Sequence, residues 1–180
     1  LKEYEALVEK VNKLNTEKED VFKMITEIDK SKTDMYMKTF NVISKNFTRI
    51  FSSLSHKGEA SVIIENKEDP LNSGVDIRVR IAGNKFLDIK SMSGGEKTMA
   101  ALAFIFAIQE HQPAFFYLLD EVDAALDKEN SDLLSKLIAK YSETAQYILI
   151  SHNDTVISEA EYIYGVTMQE AGISRIISLK

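Results

Sequence analysis

Two adjacent carboxylates end a short apolar segment of the chain. Asp120 and Glu121 follow residues 115–119, which are all aliphatic or aromatic. A continuous apolar run of this length is typical of a buried strand, and nucleotide-hydrolysing α/β folds hold Mg²⁺ at the carboxyl edge of such strands. Asp120 could then orient the metal through water, and Glu121 could accept a proton from an attacking water molecule. The alternative is an acidic turn after a core strand.

Two adjacent glycines mark a second candidate site. Ser93, Gly94, Gly95 and Glu96 precede residues 99–108, which are apolar on nearly every face of a helix. Glycines leave backbone N–H groups accessible at a helix N-terminus, where the macrodipole places about +0.5 charge, so that a phosphate could bind there. The alternative is a Ser93 N-cap followed by flexible glycines.

Two further residues are weak signals individually. Asp127 follows the carboxylate pair, and it is equally suited to cap a helix predicted from about residue 127. His152 follows an apolar strand predicted at 147–150, and it could be an ordinary loop histidine beside an Asn153 cap. Their order relative to the other motifs gives these residues weight.

The order of the motifs resembles the C-terminal part of ABC-type ATPase heads. Ser-Gly-Gly-Glu, an apolar helix, an apolar strand ending in Asp-Glu, Ala-Leu-Asp and a second apolar strand followed by histidine lie within about 60 residues. In that superfamily they are the signature, Walker B, D-loop and switch histidine. Residues 93–97 and 120–127 look like those of SMC (structural maintenance of chromosomes) proteins. The resemblance covers nearly the whole chain, and Met92 replaces the leucine that usually precedes the signature.

The resemblance implies an enzyme that binds ATP and Mg²⁺ between two heads. The signature at 93–96, with Ser93 and Gly95 in contact with the γ-phosphate, would serve a nucleotide held by the opposing head. Asp120, Glu121 and His152 would serve the nucleotide of their own head, and Asp127 would cross the interface. The implied partners are a second SMC head, a kleisin subunit and DNA embraced by the assembled complex in the cytoplasm.

The sequence lacks a phosphate-binding loop of the form G-x-x-x-x-G-K-[ST]. None of its seven glycines is followed by lysine. We therefore expect the chain to require a separate N-terminal lobe of the same protein for ATP binding.

The N-terminal residues carry a heptad pattern. Apolar residues recur at alternating steps of three and four from Tyr4 to Ile28, with Lys18 as the exception. This period predicts one strand of a coiled coil, which is antiparallel in the family, although an ordinary amphipathic helix is the alternative. No other heptad run occurs, so the partner strand must come from elsewhere. We predict a coiled-coil strand at 1–35 and a head lobe at 36–180.

The remaining pattern predicts an α/β fold. Core-like residues continue the helix from Tyr36 to Leu54, and two strands follow at 61–66 and 75–81, the second alternating as in an antiparallel sheet. A parallel strand–helix–strand unit at 115–150 and a closing hairpin around Gly172 complete the chain. The resemblance makes this the C-terminal half of an ABC-ATPase head, with helices on a parallel sheet, additional antiparallel strands and a coiled-coil stub helix.

Composition, charge and the absence of certain motifs exclude or disfavour several classes of function. The absence of cysteine excludes disulfides and thiolate chemistry, and no hydrolase-triad or zinc motif occurs. The formal net charge of −6 disfavours strong DNA binding by this chain alone. The apolar run at 99–108 is shorter than the ~20 residues of a membrane-spanning helix, so no membrane partner is expected.

Three alternatives to an SMC head remain. A coiled-coil ATPase of DNA double-strand-break repair shares the architecture, but residues 122–125 favour SMC. A transporter ATPase has no reason to begin with a heptad helix. A non-catalytic scaffold would have no need for both Asp120 and Glu121.

Overall fold

The fold combines a long helix with one parallel and two antiparallel sheets. A computed structural model of the protein describes residues 2–55, 58–81, 86–170 and 172–178. Within them the order is α1 (Lys2–Leu54), β1 (Gly58–Ile64), β2 (Val75–Ile81), β3 (Leu87–Asp88), a 3-10 turn (Ile89–Ser91), α2 (Gly94–His111), β4 (Phe116–Asp120), α3 (Lys128–Ser142), β5 (Gln146–Ile150), α4 (Asp154–Ser158), β6 (Tyr164–Glu170) and β7 (Ile173–Ser178). The predicted α/β class is confirmed.

Helix α1 runs without interruption across residues 35 and 36, where the predicted coiled-coil strand meets the predicted head lobe. Residues 2–32 are exposed throughout, and the heptad seam is exposed with them, as at Leu7, which is 63% exposed. Phe47 and Leu54, near the other end of the helix, are fully buried. The same helix therefore leaves an apolar stripe in solvent at one end and supplies the core at the other.

The core lies between the C-terminal end of α1, α2, α3 and the β1–β2 sheet. Phe47, Phe51 and Phe106 are at most 1% exposed, and each fully buried side chain of this type stabilises the fold by about 1.5–3 kcal/mol. Helix α2 buries seven of its residues between Met99 and Gln109, but Ile105 is 46% and Ile108 40% exposed. No helix within the described ranges combines the length and apolarity needed to cross a membrane.

The three-stranded sheet is antiparallel, in the order β1–β2–β3. The strand predicted at 75–81 is confirmed, and the one predicted at 61–66 begins earlier, at Gly58, and ends at Ile64. Val79 is 1% exposed and faces the core as its alternation predicts, whereas Val75 is 44% exposed. Sequence analysis missed β3 because two residues are too few to show alternation.

Strands β4 and β5 pair in parallel along their full length, with α3 as the crossover helix. The continuous apolar run predicts a buried strand at β4, but the described part of the chain buries only one of its faces. Phe116 and Leu118 are both 61% exposed, whereas Tyr117 and Leu119 are half-buried and Leu119 packs against the core. The reason is that the helices cover one face only.

The predicted hairpin is confirmed as β6 and β7, which pair antiparallel. Gly172 lies in its turn with φ of 85°, a left-handed conformation that favours glycine. The apolar side chains described on both strands are exposed, among them Val166 at 71%.

A polar cluster joins the three main helices. The Arg49 guanidinium on α1 pairs with Glu110 on α2, and the Tyr141 hydroxyl on α3 donates to Glu110 Oε1 at 2.5 Å. The hydrogen bond to Glu110 raises the pKa of Arg49, and burial together with the same carboxylate raises the pKa of Tyr141. The cluster links α1 and α3 to the helix that begins at the paired glycines.

Candidate functional site

The candidate catalytic residues lie at one edge of the parallel sheet. Asp120 pairs with Ile150 at the carboxyl ends of β4 and β5, so Glu121 and His152 follow neighbouring strands at the same edge. Asp120, Glu121 and His152 are all exposed to solvent. Parallel pairing therefore presents two carboxylates and an imidazole on one accessible edge.

Glu121 leaves β4 through an uncommon backbone conformation. Its φ is 46°, in the left-handed region, which costs a residue with a side chain about 1–2 kcal/mol. Its N–H donates to Ile150 O at 2.9 Å, and its carbonyl accepts from Ala124 N at 3.1 Å. A strained conformation persists only where the surrounding structure holds it, and such residues are concentrated at functional sites. The backbone of Glu121 is thus fixed while its carboxylate stays accessible.

Ser93 begins α2 with a capping box. Its Oγ accepts from Glu96 N at 3.4 Å, and Glu96 Oε2 accepts from Ser93 N at 2.8 Å. The N-cap predicted as the bland alternative is therefore real. The cap still leaves two backbone donors available for a ligand, because none of the described residues accepts a hydrogen bond from the Gly94 or Gly95 N–H.

The paired glycines at the start of α2 lie close to the turn between β4 and α3. A Cβ atom added at Gly95 would lie 3.0 Å from Ala125 O, whereas one added at Gly94 would meet nothing within 4 Å. Asp127 ends this turn as the N-cap of α3, with its side chain accepting from Asn130 N at 2.8 Å. Two motifs about 30 residues apart in sequence therefore meet in the fold, and Gly95 permits the close approach.

The donors at the two sites suit a magnesium–nucleotide ligand in complementary ways. Asp120 and Glu121 offer exposed carboxylate oxygens, which Mg²⁺ prefers, and the free N–H groups at the start of α2 suit a phosphate. The described residues contain no cluster of three or more side chains that could hold a metal ion. Of the two carboxylates, Asp120 would be the one that orients Mg²⁺ through water, which leaves Glu121 for proton transfer.

Sequence analysis missed the side-chain hydrogen bonds immediately behind the edge. Asp123 is 6% exposed, and its Oδ2 accepts from Ser151 Oγ at 2.7 Å. Asn153 donates from Nδ2 to Ser131 Oγ at 3.0 Å. Each of Asp123, Ser151 and Asn153 closely follows a predicted strand, but their contacts depend on the parallel pairing, which no local pattern reveals.

The family comparison is unambiguous. The RecF/RecN/SMC N terminal domain family matches residues 2–175. The chromosome partition protein Smc of Pyrococcus furiosus is 45% identical over 176 residues, covering 98% of this chain and 15% of the relative. That of Methanocaldococcus jannaschii is 37% identical over 177 residues, again covering 98% and 15%. The chain thus spans about 15% of the length of these curated relatives.

Solved structures agree. The Smc head domain of Pyrococcus furiosus, with an extended coiled coil and bound to the C-terminal domain of ScpA, superposes with a TM-score of 0.89 at 44% identity, covering 99% of this chain and 44% of that one. A structure from work on ATP-driven dimerization and DNA-stimulated activation of SMC ATPases gives 0.76 at 42% identity, covering 82% and 89%.

Proposed function

This chain belongs to the RecF/RecN/SMC N terminal domain family, and from that premise we propose that it is the C-terminal lobe of an SMC ATPase head. It would bind and hydrolyse ATP together with an N-terminal lobe of the same protein and a second head. The observation that carries the proposal is the sheet edge, where Asp120, Glu121 and His152 follow two paired parallel strands and remain exposed.

Asp120, Glu121 and His152 at the sheet edge would act on the nucleotide bound by their own head. Bound Mg²⁺ would neutralise charge on the phosphates. Asp120 would hold the metal through water, and Glu121, fixed by its backbone hydrogen bonds, would accept the proton of the attacking water. His152 would contact the same nucleotide from the neighbouring turn.

The signature would act on the nucleotide of the opposing head. The N–H groups of Gly94 and Gly95 and the Ser93 hydroxyl would face its γ-phosphate, while Glu96 holds the helix start through the capping box. Asp127 would approach the interface from the turn that packs against Gly95. ATP would thereby join two heads.

The exposed surfaces support the proposed partners. The uncovered face of β4 and β5 would pack against the N-terminal lobe, and the seam at 4–28 would pair with a second coiled-coil strand. The bound ScpA domain in the Pyrococcus furiosus structure supports a kleisin-type subunit. DNA entrapment and chromosome organisation in the cytoplasm would be activities of the assembled complex. The head of a related coiled-coil ATPase of DNA double-strand-break repair is the alternative, and the chromosome-partition relatives favour the first assignment.

The direct test is to mix this chain with the N-terminal lobe and measure ATP turnover against lobe concentration. We expect turnover that requires both lobes, rises with concentration and is lost in Glu121→Gln and Ser93→Arg. Glu143→Gln and Ser142→Arg, the same substitutions at exposed positions on and after α3, serve as controls and should leave turnover unchanged. Hydrolysis by this chain alone, or full activity of the two site variants, would overturn the proposal.

A further inference from the structure

A buried hydrogen-bond chain lies behind the two turns, and the proposed roles do not use it. We define the turn network as Asp123, Ser151, Asn153 and Ser131. Asp123 is 6% and Ser131 0% exposed, and the other two are half-buried. The network links the turn after β4, the turn after β5 and α3.

Ser151 and Asn153, at the centre of the network, are each oriented by two neighbours. Ser151 Oγ donates its proton to Asp123 Oδ2 at 2.7 Å and accepts from Asn153 N at 3.0 Å. The Asn153 side chain accepts from Thr155 N at 3.0 Å and donates to Ser131 Oγ at 3.0 Å. Because a hydroxyl carries one proton, these contacts leave Ser151 a single orientation.

The network holds both turns that carry candidate catalytic residues. His152 lies between Ser151 and Asn153, so its backbone is anchored on both sides while its side chain is exposed. Asp123 lies two residues after Glu121, whose N–H is bonded to Ile150 on β5. The two turns are therefore connected twice, once through the backbone and once through Asp123 and Ser151.

Joining two turns through a buried carboxylate costs free energy of desolvation. Removing a carboxylate from water costs free energy that a well-packed apolar pair avoids, but a charge-assisted hydrogen bond fixes distance and direction as apolar contacts do not. We propose that Asp123 and Ser151 are positioning residues that hold His152 in a fixed relation to Glu121. The inference rests on the proposed ATPase function and assigns these two residues a role within it.

The test uses the head reconstituted with its N-terminal lobe and measures kcat and KM for ATP. Ser151→Ala should lower kcat about ten-fold or more while KM changes little, because misplacement of a reacting group slows the chemical step. Ser151→Thr keeps the hydroxyl and should recover most of kcat. Asp123→Asn keeps an acceptor without the charge, so we expect a smaller loss of about three-fold.

Ser135→Ala is the matched control. Ser135 is also a buried serine, 2% exposed, but its hydroxyl bonds to Asp132 O within α3, outside the turn network. Its removal should leave kcat unchanged. If Ser151→Ala reduces the yield of folded head, Asp123→Asn against Ser135→Ala decides the question, and equal kcat values for those two would overturn the inference.

A double-mutant cycle with His152→Ala separates positioning from general stabilisation. If Ser151 acts through His152, adding Ser151→Ala to His152→Ala should cause no further fall in kcat. An equal fall in both backgrounds would overturn the inference while the proposed function stands, provided that unmodified heads turn over ATP and Glu121→Gln heads do not. Inactive unmodified heads would overturn the proposed function and this inference with it.

Discussion

At the scale of residues, few side chains carry the proposed chemistry, and close contacts of their neighbours place them. Glu121 is held in a left-handed conformation by hydrogen bonds at its own N–H and carbonyl. Gly95 lies against the Ala125 carbonyl, where a Cβ atom would be crowded. Substitutions that leave every catalytic group intact should therefore still disturb the site.

Alanine at the two glycines should have different effects on stability. Gly94→Ala meets nothing within 4 Å, so it should raise the free energy of unfolding by about 0.4–1 kcal/mol by restricting the unfolded chain. Gly95→Ala places a Cβ atom 3.0 Å from Ala125 O and should lose part or all of that gain. Urea denaturation of the two variants measures the difference. Equal stabilisation would show that the turn moves away freely.

Tyr147 should make the fold sensitive to alkali. Burial, partly offset by the Gln109 side chain, raises the pKa of Tyr147 to about 12, above its ordinary value of about 10. The folded state therefore favours the neutral phenol of Tyr147. The stability that this provides is fully present below pH ~10, the pKa of an unfolded tyrosine, and is lost as pH rises towards about 12. Tyr147→Phe should remove this part of the alkaline loss, as measured by thermal unfolding between those pH values.

At the scale of elements, local patterns in the sequence predicted helices and strands well. They did not predict which strand faces are covered by a second layer. The helix N-cap at Asp127 and strand β2 follow from local patterns because capping and alternation are local physics. The exposure of Phe116 could not follow from sequence, since an apolar strand reads the same whether or not a second layer covers it. The Asp123–Ser151 bond was equally hidden, because it exists only once β4 and β5 pair.

The seam of α1 should pair with a second helix. Leu14 lies on the seam and is 54% exposed, whereas Met24 lies off the seam and is 62% exposed. Leu14→Ala should weaken association with a partner coiled-coil strand, and Met24→Ala should do so much less, because only seam residues insert into the facing helix. Binding of the partner strand by titration calorimetry compares them. Equal losses would contradict the coiled-coil assignment of 1–35.

At the scale of the whole molecule, the uncovered face of β4 and β5 should be an assembly surface. Leu118 is 61% exposed beside Ile148 on the neighbouring strand, an apolar pair that a second layer would cover. Leu118→Lys should leave this chain folded and weaken its association with the N-terminal lobe, because it would bury an unpaired charge. Val166→Lys on the exposed hairpin serves as the control in a pull-down of the two lobes. Unchanged lobe association in Leu118→Lys would place the interface elsewhere.

The central claim is that one nucleotide is shared by Glu121 of one head and Ser93 of another. The most direct measurement is complementation: heads carrying Glu121→Gln and heads carrying Ser93→Arg are each inactive alone and are then mixed in equal amounts. A mixed dimer contains one site with both residues intact, so we predict recovery of up to about a quarter of the unmodified turnover. Mixtures that stay inactive, although the variant heads still associate, would contradict a shared site.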